Sequence, residues 1–150
     1  MPELAITIRE ARAEDSEIIK QMVWAERLDP TSLKWQHFLV AEHESEIVGI
    51  GQIKQYPGCE ELGSLVTKAE YQGQGIGRRM IDALEARAGR PLYLLCAEKM
   101  EAYYLRFGYE TITWWDAPAF LKLKTSPLLI FQLFGVRVCI MRKNGSDPVA

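Results

Sequence analysis

The stretch YQGQGIGRRM, residues 71–80, decides how this sequence is interpreted, because it places three alternating glycines before two arginines. Hydrophobic periodicity predicts that an amphipathic helix begins here, directly after a strand. Gly73, Gly75 and Gly77 carry no Cβ atom, so the backbone can approach a ligand closely and turn its N–H groups toward one point. The first N–H groups of a helix lack partners within the helix and therefore favour an anion.

Arg78 and Arg79 stand in the first turn of this predicted helix, where the helix dipole disfavours each cation by about 0.3–1 kcal/mol. A bound polyanion would explain both the unfavourable charge and the bare backbone, because it uses the free amides and pairs with the arginines. The alternative is a flexible loop whose arginines lie on a solvated helix face.

Two common phosphate-binding motifs fit the loop less well. A P-loop needs Lys followed by Ser or Thr after its last glycine, and two arginines stand there instead. A dinucleotide fingerprint counted from Gly73 has Arg78 at its third glycine position, although Glu98 lies about where the ribose-binding acid would lie. Several strands precede the loop and no second βαβ half follows, so the order of elements argues against a dinucleotide site.

The composition is that of one globular domain, with 150 residues of which 48% are hydrophobic and 25% charged. The net charge of −2 argues against nucleic-acid binding by bulk electrostatics. No apolar run approaches the roughly 18 residues of a membrane-spanning helix, and the amino terminus lacks the features of a signal peptide. Three cysteines without metal-type spacing and two distant histidines argue against a metal site. We therefore expect a soluble, cytoplasmic protein without nucleic acid, membrane or metal as a partner.

Periodicity predicts a mixed order of strands and helices. Strands are expected at residues 5–11, twice within 35–56 around a hairpin turn at EHESE, and at 61–67, 91–97 and 109–115. Helices are expected at residues 13–28, from the glycine loop to about residue 88, and at 99–107. The segments PAFLKLK, residues 118–124, and GVRVCIMRK, residues 135–143, are expected to be strand or loop. Strands and helices do not alternate strictly, so a wholly parallel sheet is not expected.

Two motifs, in order, resemble the signatures of the GCN5-related N-acetyltransferase (GNAT) family. Gln72, Gly75 and Gly77 fill its acyl-CoA-binding motif, Gln/Arg-x-x-Gly-x-Gly/Ala. AYYLRFGYE, residues 102–110, resembles the second signature, in which an aromatic pair precedes three residues, a glycine and an aromatic. The resemblance covers roughly residues 5–142. It implies a single acetyltransferase domain at residues 1–142 and a flexible tail at 143–150.

The resemblance implies an α/β fold of the mixed α+β kind, whose central mixed, largely antiparallel sheet is splayed in the middle and flanked by helices. It also implies acetyl-CoA as cosubstrate, with the pantetheine arm along strand SLVT and the pyrophosphate on the N–H groups of residues 73–78. The implied cofactor contacts are Leu65, Val66, Thr67, Gln72, Gly73, Gln74, Gly75, Ile76, Gly77, Arg78, Arg79 and Tyr104.

Acetyl transfer to an amine requires that the ammonium lose a proton, that the thioester oxygen be stabilised, and that the thiolate be protonated. The resemblance assigns protonation of the thiolate to Tyr104, which stands four residues before Gly108. The resemblance makes Glu61 the preferred base, because it lies on the strand that leads to the loop, where many members of the family carry a glutamate, and Glu60, on the opposite face, is the second choice. The N–H of Val66 would polarise the thioester oxygen.

Two further residues are alternatives for the chemistry. His37 is an alternative base, whereas His43 is expected to be a turn residue. Cys96, in the predicted strand YLLCA, is considered as a covalent nucleophile. No histidine accompanies Cys96 in sequence, and buried strand cysteines are usually inert.

The sequence does not identify the acceptor amine. In the GNAT family the first helix, its following loop and the last strands generally select the acceptor. The aromatic residues there are expected to be core, and the acidic residues solvated surface charges: Trp24, Trp35, Tyr56, Trp114, Trp115, Phe120, Glu26, Asp29 and Asp116. The apolar stretch PLLIFQLF, residues 127–134, either covers a homodimer interface or lies over the sheet edge.

The predicted function is therefore N-acetyl transfer from acetyl-CoA to a primary amine of a small molecule or peptide, by direct transfer in a ternary complex. The alternative is a non-catalytic acyl-CoA-binding sensor or accessory subunit of the same fold.

Overall fold

The computed structural model describes residues 4–127 and 137–145. Over these residues the chain forms seven strands and four helices, joined in places by short 3-10 turns. The strands are β1 (Thr7–Glu10), β2 (Phe38–His43), β3 (Glu46–Tyr56), β4 (Cys59–Thr67), β5 (Leu92–Ala97), β6 (Glu110–Ile112) and β7 (Val138–Lys143). The helices are α1 (Ser16–Ala25), α2 (Ile76–Glu85), α3 (Glu101–Leu105) and α4 (Ala119–Thr125).

The strands form one sheet with the hydrogen-bonded order β1-β2-β3-β4-β5-β7-β6. β1 pairs antiparallel with β2, β2 with β3, and β7 with both β5 and β6. The predicted fold class, a mixed α+β fold with a largely antiparallel sheet and flanking helices, is confirmed. None of the helices within the described ranges has the length and apolarity needed to cross a lipid bilayer.

The chain divides into two compact units. The first unit contains the chain up to Lys54 together with Leu62–Ala88. The second unit contains Gln55–Glu61 and the chain from Gly89 onward. The tip of the β3–β4 hairpin therefore belongs to the second unit, while most of both strands belongs to the first.

In the first unit, α1 and α2 cover opposite faces of β3. Ile19 and Val23 of α1 belong to one apolar cluster with Ile50 of β3. Gly51 follows on the opposite face, and a Cβ atom at this position would lie 2.7 Å from Leu84 Cδ1 of α2. The absence of a side chain at this position therefore allows α2 to pack close to the strand.

In the second unit, an apolar cluster joins the strands to α4. Tyr93 of β5 and Ile140 of β7 are buried together with Leu121 of α4 and Cys59 at the start of β4. α4 thus contributes to the core of this unit, and its position bears on the site described below.

The prediction of strand or loop for PAFLKLK is wrong, because this segment forms α4. Its alternating Leu and Lys residues resemble a half-buried strand. Only Leu121 and Thr125, one helical turn apart, are buried, whereas Leu123 is 72% exposed. Pro118 precedes the first turn, where a proline costs the helix no hydrogen bond. Burial of one helical face therefore determines the structure of this segment.

The other predicted elements are present, most of them with shorter ends, whereas β4 begins at Cys59, two residues before the predicted start of that strand. The strand predicted over residues 109–115 is only β6, because Trp114–Asp116 form a 3-10 turn in which Thr113 Oγ1 donates to Asp116 Oδ2 at 2.8 Å. β7 confirms a strand within residues 135–143 and includes the first residue of the predicted tail. Residues 128–134 of PLLIFQLF and residues 146–150 lie outside the described residues.

Candidate active site

The glycine turn, defined as residues 72–75, connects a 3-10 turn at Ala69–Tyr71 to α2. Gly73 and Gly75 have φ angles of 81° and 80°, a left-handed conformation that other residues rarely adopt. A Cβ atom built on either residue would meet nothing within 4 Å. Glycine is therefore required here by the backbone conformation and not by internal packing, and the space beside the turn is open to a ligand.

The amino terminus of α2 is a positively polarised helix end. Its first turn contains no acidic side chain. The N–H of Arg79 donates to the carbonyl of Gly75 at 3.1 Å, so the N–H groups before Arg79 have no acceptor within the helix. Ile76, Met80 and Leu84 are buried and hold the helix in the first unit. This arrangement favours an anion at the start of α2.

Two predicted cofactor contacts also hold the glycine turn in place. Gln72 donates from its side-chain amide to the carbonyl of Thr67 at 3.0 Å, which ties the turn to the end of β4. Arg79 donates from its guanidinium to the carbonyl of Ile6 at 2.9 Å, which ties α2 to the chain before β1. Arg78 is exposed at the same helix end, where a bound anion could reach its charge.

The end of β4 follows a kink in the strand. Ser64 has a φ angle of 52°, which interrupts the extended backbone, and its Oγ accepts a hydrogen bond from the buried amide of Gln52 at 2.9 Å. Beyond the kink, Val66 is buried while Leu65 and Thr67 are half-buried. All predicted cofactor contacts except the tyrosine of α3 therefore lie in the first unit, along one continuous segment from the strand end to α2.

Tyr104, the predicted acid, is a buried residue of α3 in the second unit. Its ring contacts those of Tyr103 and Tyr109 edge to face, with centroid distances of 5.1 and 6.2 Å. Among the described residues its hydroxyl makes no hydrogen bond. Burial raises the pKa of Tyr104 above its usual value of about 10, so the phenol is protonated at neutral pH and can donate a proton.

Glu61, the predicted base, is a buried carboxylate in the second unit and is 4% exposed. Lys124 of α4 donates to Glu61 Oε1 at 2.9 Å and to the Tyr56 hydroxyl at 2.7 Å. The sequence did not single out Lys124, because its segment was expected to be strand or loop. The i, i+4 spacing of Phe120 and Lys124 is the signal that a helical interpretation would have provided.

The alternative catalytic residues have other surroundings. Glu60 accepts from the Gln55 amide at 2.6 Å and from the N–H of Gly89 at 2.9 Å, so it braces the hairpin tip. His37 lies in a 3-10 turn before β2, and its buried Nδ1 has no partner within the described residues. Burial raises the pKa of Cys96 to about 12, so this residue lacks the thiolate that covalent catalysis needs at neutral pH.

Asp29 is not the solvated surface charge that the sequence suggested. The side chain of Lys54, on β3, has 2% of its surface exposed and donates to Asp29 Oδ2 at 3.1 Å. Asp29 Oδ1 also accepts from the N–H and hydroxyl of Thr31. A buried ammonium needs such a partner, so the loop after α1 is fixed to β3 by this ion pair. The polar residues Gln52 and Lys54, which come after the apolar residues 47–51 of the same strand, were the available signal.

The remaining residues predicted for the acceptor side differ in exposure. Trp24 and Trp115 are 67% and 77% exposed, so they are not core. Tyr56 stacks on Phe120 with a centroid distance of 4.3 Å, and Trp35 packs against the apolar cluster of α1.

No group of three or more His, Cys, Asp or Glu side chains suited to a metal ion occurs in the part of the chain that the structure describes.

The fold and the glycine turn together define an acetyltransferase domain that uses acyl-CoA. The family model of the acetyltransferase (GNAT) domain matches residues 34–111, which include β2 to β5, the glycine turn and the first two residues of β6. The chain belongs to the GNAT acetyltransferase family, and the resemblance noted in the sequence is confirmed.

Similar proteins include one enzyme that is named for amino acids and one that is named for an acetylated amino acid. An amino-acid acetyltransferase of Ralstonia nicotianae is 31% identical over 87 residues, which is 55% of this chain and 19% of that protein. The N-acetylglutamate synthase of Neisseria gonorrhoeae, solved with coenzyme A and L-arginine, superposes with a TM-score of 0.78 at 16% identity, over 97% of this chain and 34% of that chain. This chain thus spans only about a fifth and a third of these two relatives.

A further structure matches along nearly its whole length. A Mycobacterium tuberculosis protein solved in complex with CoA has a TM-score of 0.72 and 20% identity, over 93% of this chain and 99% of that chain. At such identities the solved structures establish a shared fold.

Proposed function

We propose that this domain transfers an acetyl group from acetyl-CoA to the primary amine of a small molecule or peptide, by direct transfer in a ternary complex. The observation that carries the proposal is the glycine turn, where left-handed Gly73 and Gly75 lead into the uncompensated start of α2. The pyrophosphate of the cosubstrate would accept hydrogen bonds from the N–H groups of residues 73–78 and pair with Arg78.

The pantetheine arm would pair with the backbone of Leu65, Val66 and Thr67 as an added strand does. The kink at Ser64 supports this assignment, because it interrupts regular strand geometry just before these residues. The N–H of Val66 would then stabilise negative charge on the thioester oxygen as the amine attacks.

Tyr104 and Glu61 would carry the proton transfers. The amine nitrogen attacks the thioester carbon, a C–N bond forms, and the C–S bond breaks. Glu61 takes the proton from the amine, directly or through a water, and Tyr104 gives its phenolic proton to the departing sulfur. The products are an amide and free coenzyme A; Glu61 then releases its proton to solvent, and Tyr104 regains one from solvent.

Amino acids are the acceptor class that the relatives favour. The Ralstonia protein is named as an amino-acid acetyltransferase, and the Neisseria protein is named for its product N-acetylglutamate. Both are much longer than this chain, so their names support an amino-acid acceptor for this domain only as part of the proposal.

An acetylation assay with an amine panel tests the proposed function. We expect acetyl-CoA-dependent release of free thiol with at least one amino acid, polyamine, arylalkylamine, aminoglycoside or peptide amino terminus. One observation favours the non-catalytic alternative, since Lys124 already contacts the carboxylate of the predicted base. Tight binding of acetyl-CoA without turnover on the whole panel would contradict the enzymatic proposal and support an acyl-CoA sensor.

A further inference from the structure

We propose that Lys124 recognises the carboxylate of the acceptor, so that the acceptor is an α-amino acid, with its amine and carboxylate on one carbon. The inference rests on the proposed function, since it concerns the acceptor side of the same site. Lys124, Glu61 and Tyr56 all lie in the second unit.

α4 places the ammonium of Lys124 by two contacts with one aromatic ring. Phe120, one helical turn before Lys124, stacks on Tyr56 with a centroid distance of 4.3 Å. Lys124 Nζ lies 5.0 Å from the centroid of the same ring and donates to its hydroxyl at 2.7 Å. The helix and the ring together therefore hold the ammonium in one place, which is a requirement for selective recognition.

The ion pair of Lys124 with Glu61 is arranged for exchange with a ligand. Nζ lies 2.9 Å from Glu61 Oε1, and the side chain of Glu61 is 5% exposed while that of Lys124 is 19% exposed. The side chain of Glu61 is thus enclosed, and the side chain of Lys124 is the more exposed member of the pair. Removing either partner of a buried ion pair leaves an uncompensated charge. A ligand that separates the pair must therefore supply a replacement charge to each partner.

An α-amino acid supplies both charges that the pair would exchange. Its ammonium can approach Glu61 while its carboxylate accepts a hydrogen bond from Lys124 Nζ. One internal ion pair is then replaced by two intermolecular ion pairs. The same movement gives the amine a contact with the residue that we assign as its base.

An amine without a carboxylate lacks this compensation. Its ammonium would approach Glu61 next to the ammonium of Lys124, so the two cations would repel each other. Repulsion of this kind rejects the wrong ligand while leaving the correct one unaffected. Lys124 would therefore select amino acids by repelling simple amines as well as by binding carboxylates.

Matched pairs of acceptors test the inference. The pairs are L-glutamate with 4-aminobutyrate, L-leucine with 3-methylbutylamine, and L-phenylalanine with phenethylamine, which differ only in the α-carboxylate. For the wild-type protein we expect kcat/KM to be higher for the amino acid of the preferred pair, on the order of 100-fold. In Lys124→Met this ratio should fall to a few-fold, mainly through the amino acid.

The ratio of two acceptors measured on one preparation does not depend on how much of the protein is folded, which protects the test from a destabilised variant. Lys124→Arg should keep most of the ratio, because it retains the charge and a donor. Lys122→Met is the matched control on the same helix, since Lys122 instead lies 5.7 Å from the Trp114 ring, and it should keep the wild-type ratio.

The inference is overturned if wild type acetylates both members of each pair equally well, or if Lys124→Met leaves the ratio unchanged. If no acceptor is turned over, the proposed function fails, and calorimetry with the same amino acids and coenzyme A decides the inference separately. Amino-acid binding that Lys124→Met abolishes would still support carboxylate recognition, whereas no such binding would overturn it.

Discussion

The side-chain amide of Gln72 donates to the backbone carbonyl of Thr67 at 3.0 Å and so joins the glycine turn to the end of β4. We assign Thr67 to the pantetheine arm of acetyl-CoA. Gln72 directly precedes the residues that we assign to its pyrophosphate. The bond therefore fixes the separation of two parts of the proposed cofactor site, which would reduce the ordering that binding must impose.

Replacing Gln72 by Ala should weaken acetyl-CoA binding about fivefold, since a typical intramolecular hydrogen bond contributes about 1 kcal/mol. Isothermal titration calorimetry measures this change. Glu70→Ala, at an exposed residue of the preceding 3-10 turn, is the control and should bind acetyl-CoA as wild type does. An unchanged Kd in the Gln72 variant would show that the turn does not need this brace.

Replacing Gly75 by Ala should both destabilise the fold, by about 1–2 kcal/mol, and weaken acetyl-CoA binding, because Ala disfavours the left-handed backbone. Gly58 provides a matched control, since its φ of 82° is nearly the same and a Cβ atom there also meets nothing within 4 Å. Gly58→Ala should lose similar stability in urea titration and keep the wild-type affinity. Equal affinities of the two variants for acetyl-CoA would contradict our assignment of the glycine turn.

Replacing Tyr104 by Phe should lower kcat on the order of 100-fold while acetyl-CoA affinity changes little, because only a proton donor is removed. Steady-state kinetics and calorimetry separate the two effects, and Tyr103→Phe is the neighbouring control. Burial raises the pKa of Tyr104, so its neutral, active form persists to higher pH than that of a free tyrosine. We therefore expect that ionisation of Tyr104 causes no loss of activity below about pH 10. Full activity of the Phe variant would remove Tyr104 from the mechanism.

Replacing Asp29 by Asn should lower the free energy of unfolding by about 2 kcal/mol, since it leaves the enclosed ammonium of Lys54 without its carboxylate. The control is Glu17→Gln, whose exposed pair with Lys20 should contribute at most about 0.5 kcal/mol. Urea unfolding midpoints provide the comparison. Similar small losses in both variants would mean that the loop after α1 does not depend on this ion pair.

Acid should weaken the fold through Asp15. The guanidinium of Arg9, which donates to Asp15 Oδ2 at 2.8 Å, lowers the pKa of this carboxyl, and the N–H of Arg12 adds to the effect. A lowered pKa contributes stability above the unfolded value of about 3.9 and loses it as pH falls further. The difference in unfolding free energy between wild type and Asp15→Asn should thus be constant from pH 7 to 5 and shrink below about pH 4. Glu14→Gln, at an exposed neighbour, should show no such trend; a difference independent of pH would contradict the linkage.

The elements that could be predicted from sequence are those whose signals are local. The β2–β3 hairpin was predicted correctly because its apolar strands meet at a polar turn, where Glu44 and Ser45 adopt the left-handed conformation. α4 was not predicted, because its alternating Leu and Lys residues fit the two-residue period of a strand as well as they fit one face of a short helix. Only the surface that buries Leu121 and Thr125 distinguishes the two.

The sequence by itself determined the glycine turn, since left-handed backbone at two glycines and a helix start without acidic residues are encoded within ten consecutive positions. Only the tertiary structure decided the surroundings of Glu61. Lys124 stands 63 residues from Glu61 in the chain, and the two charges meet because α4 packs Phe120 against Tyr56. A contact across such a separation depends on the folded arrangement of whole elements, and no local pattern of residues specifies it.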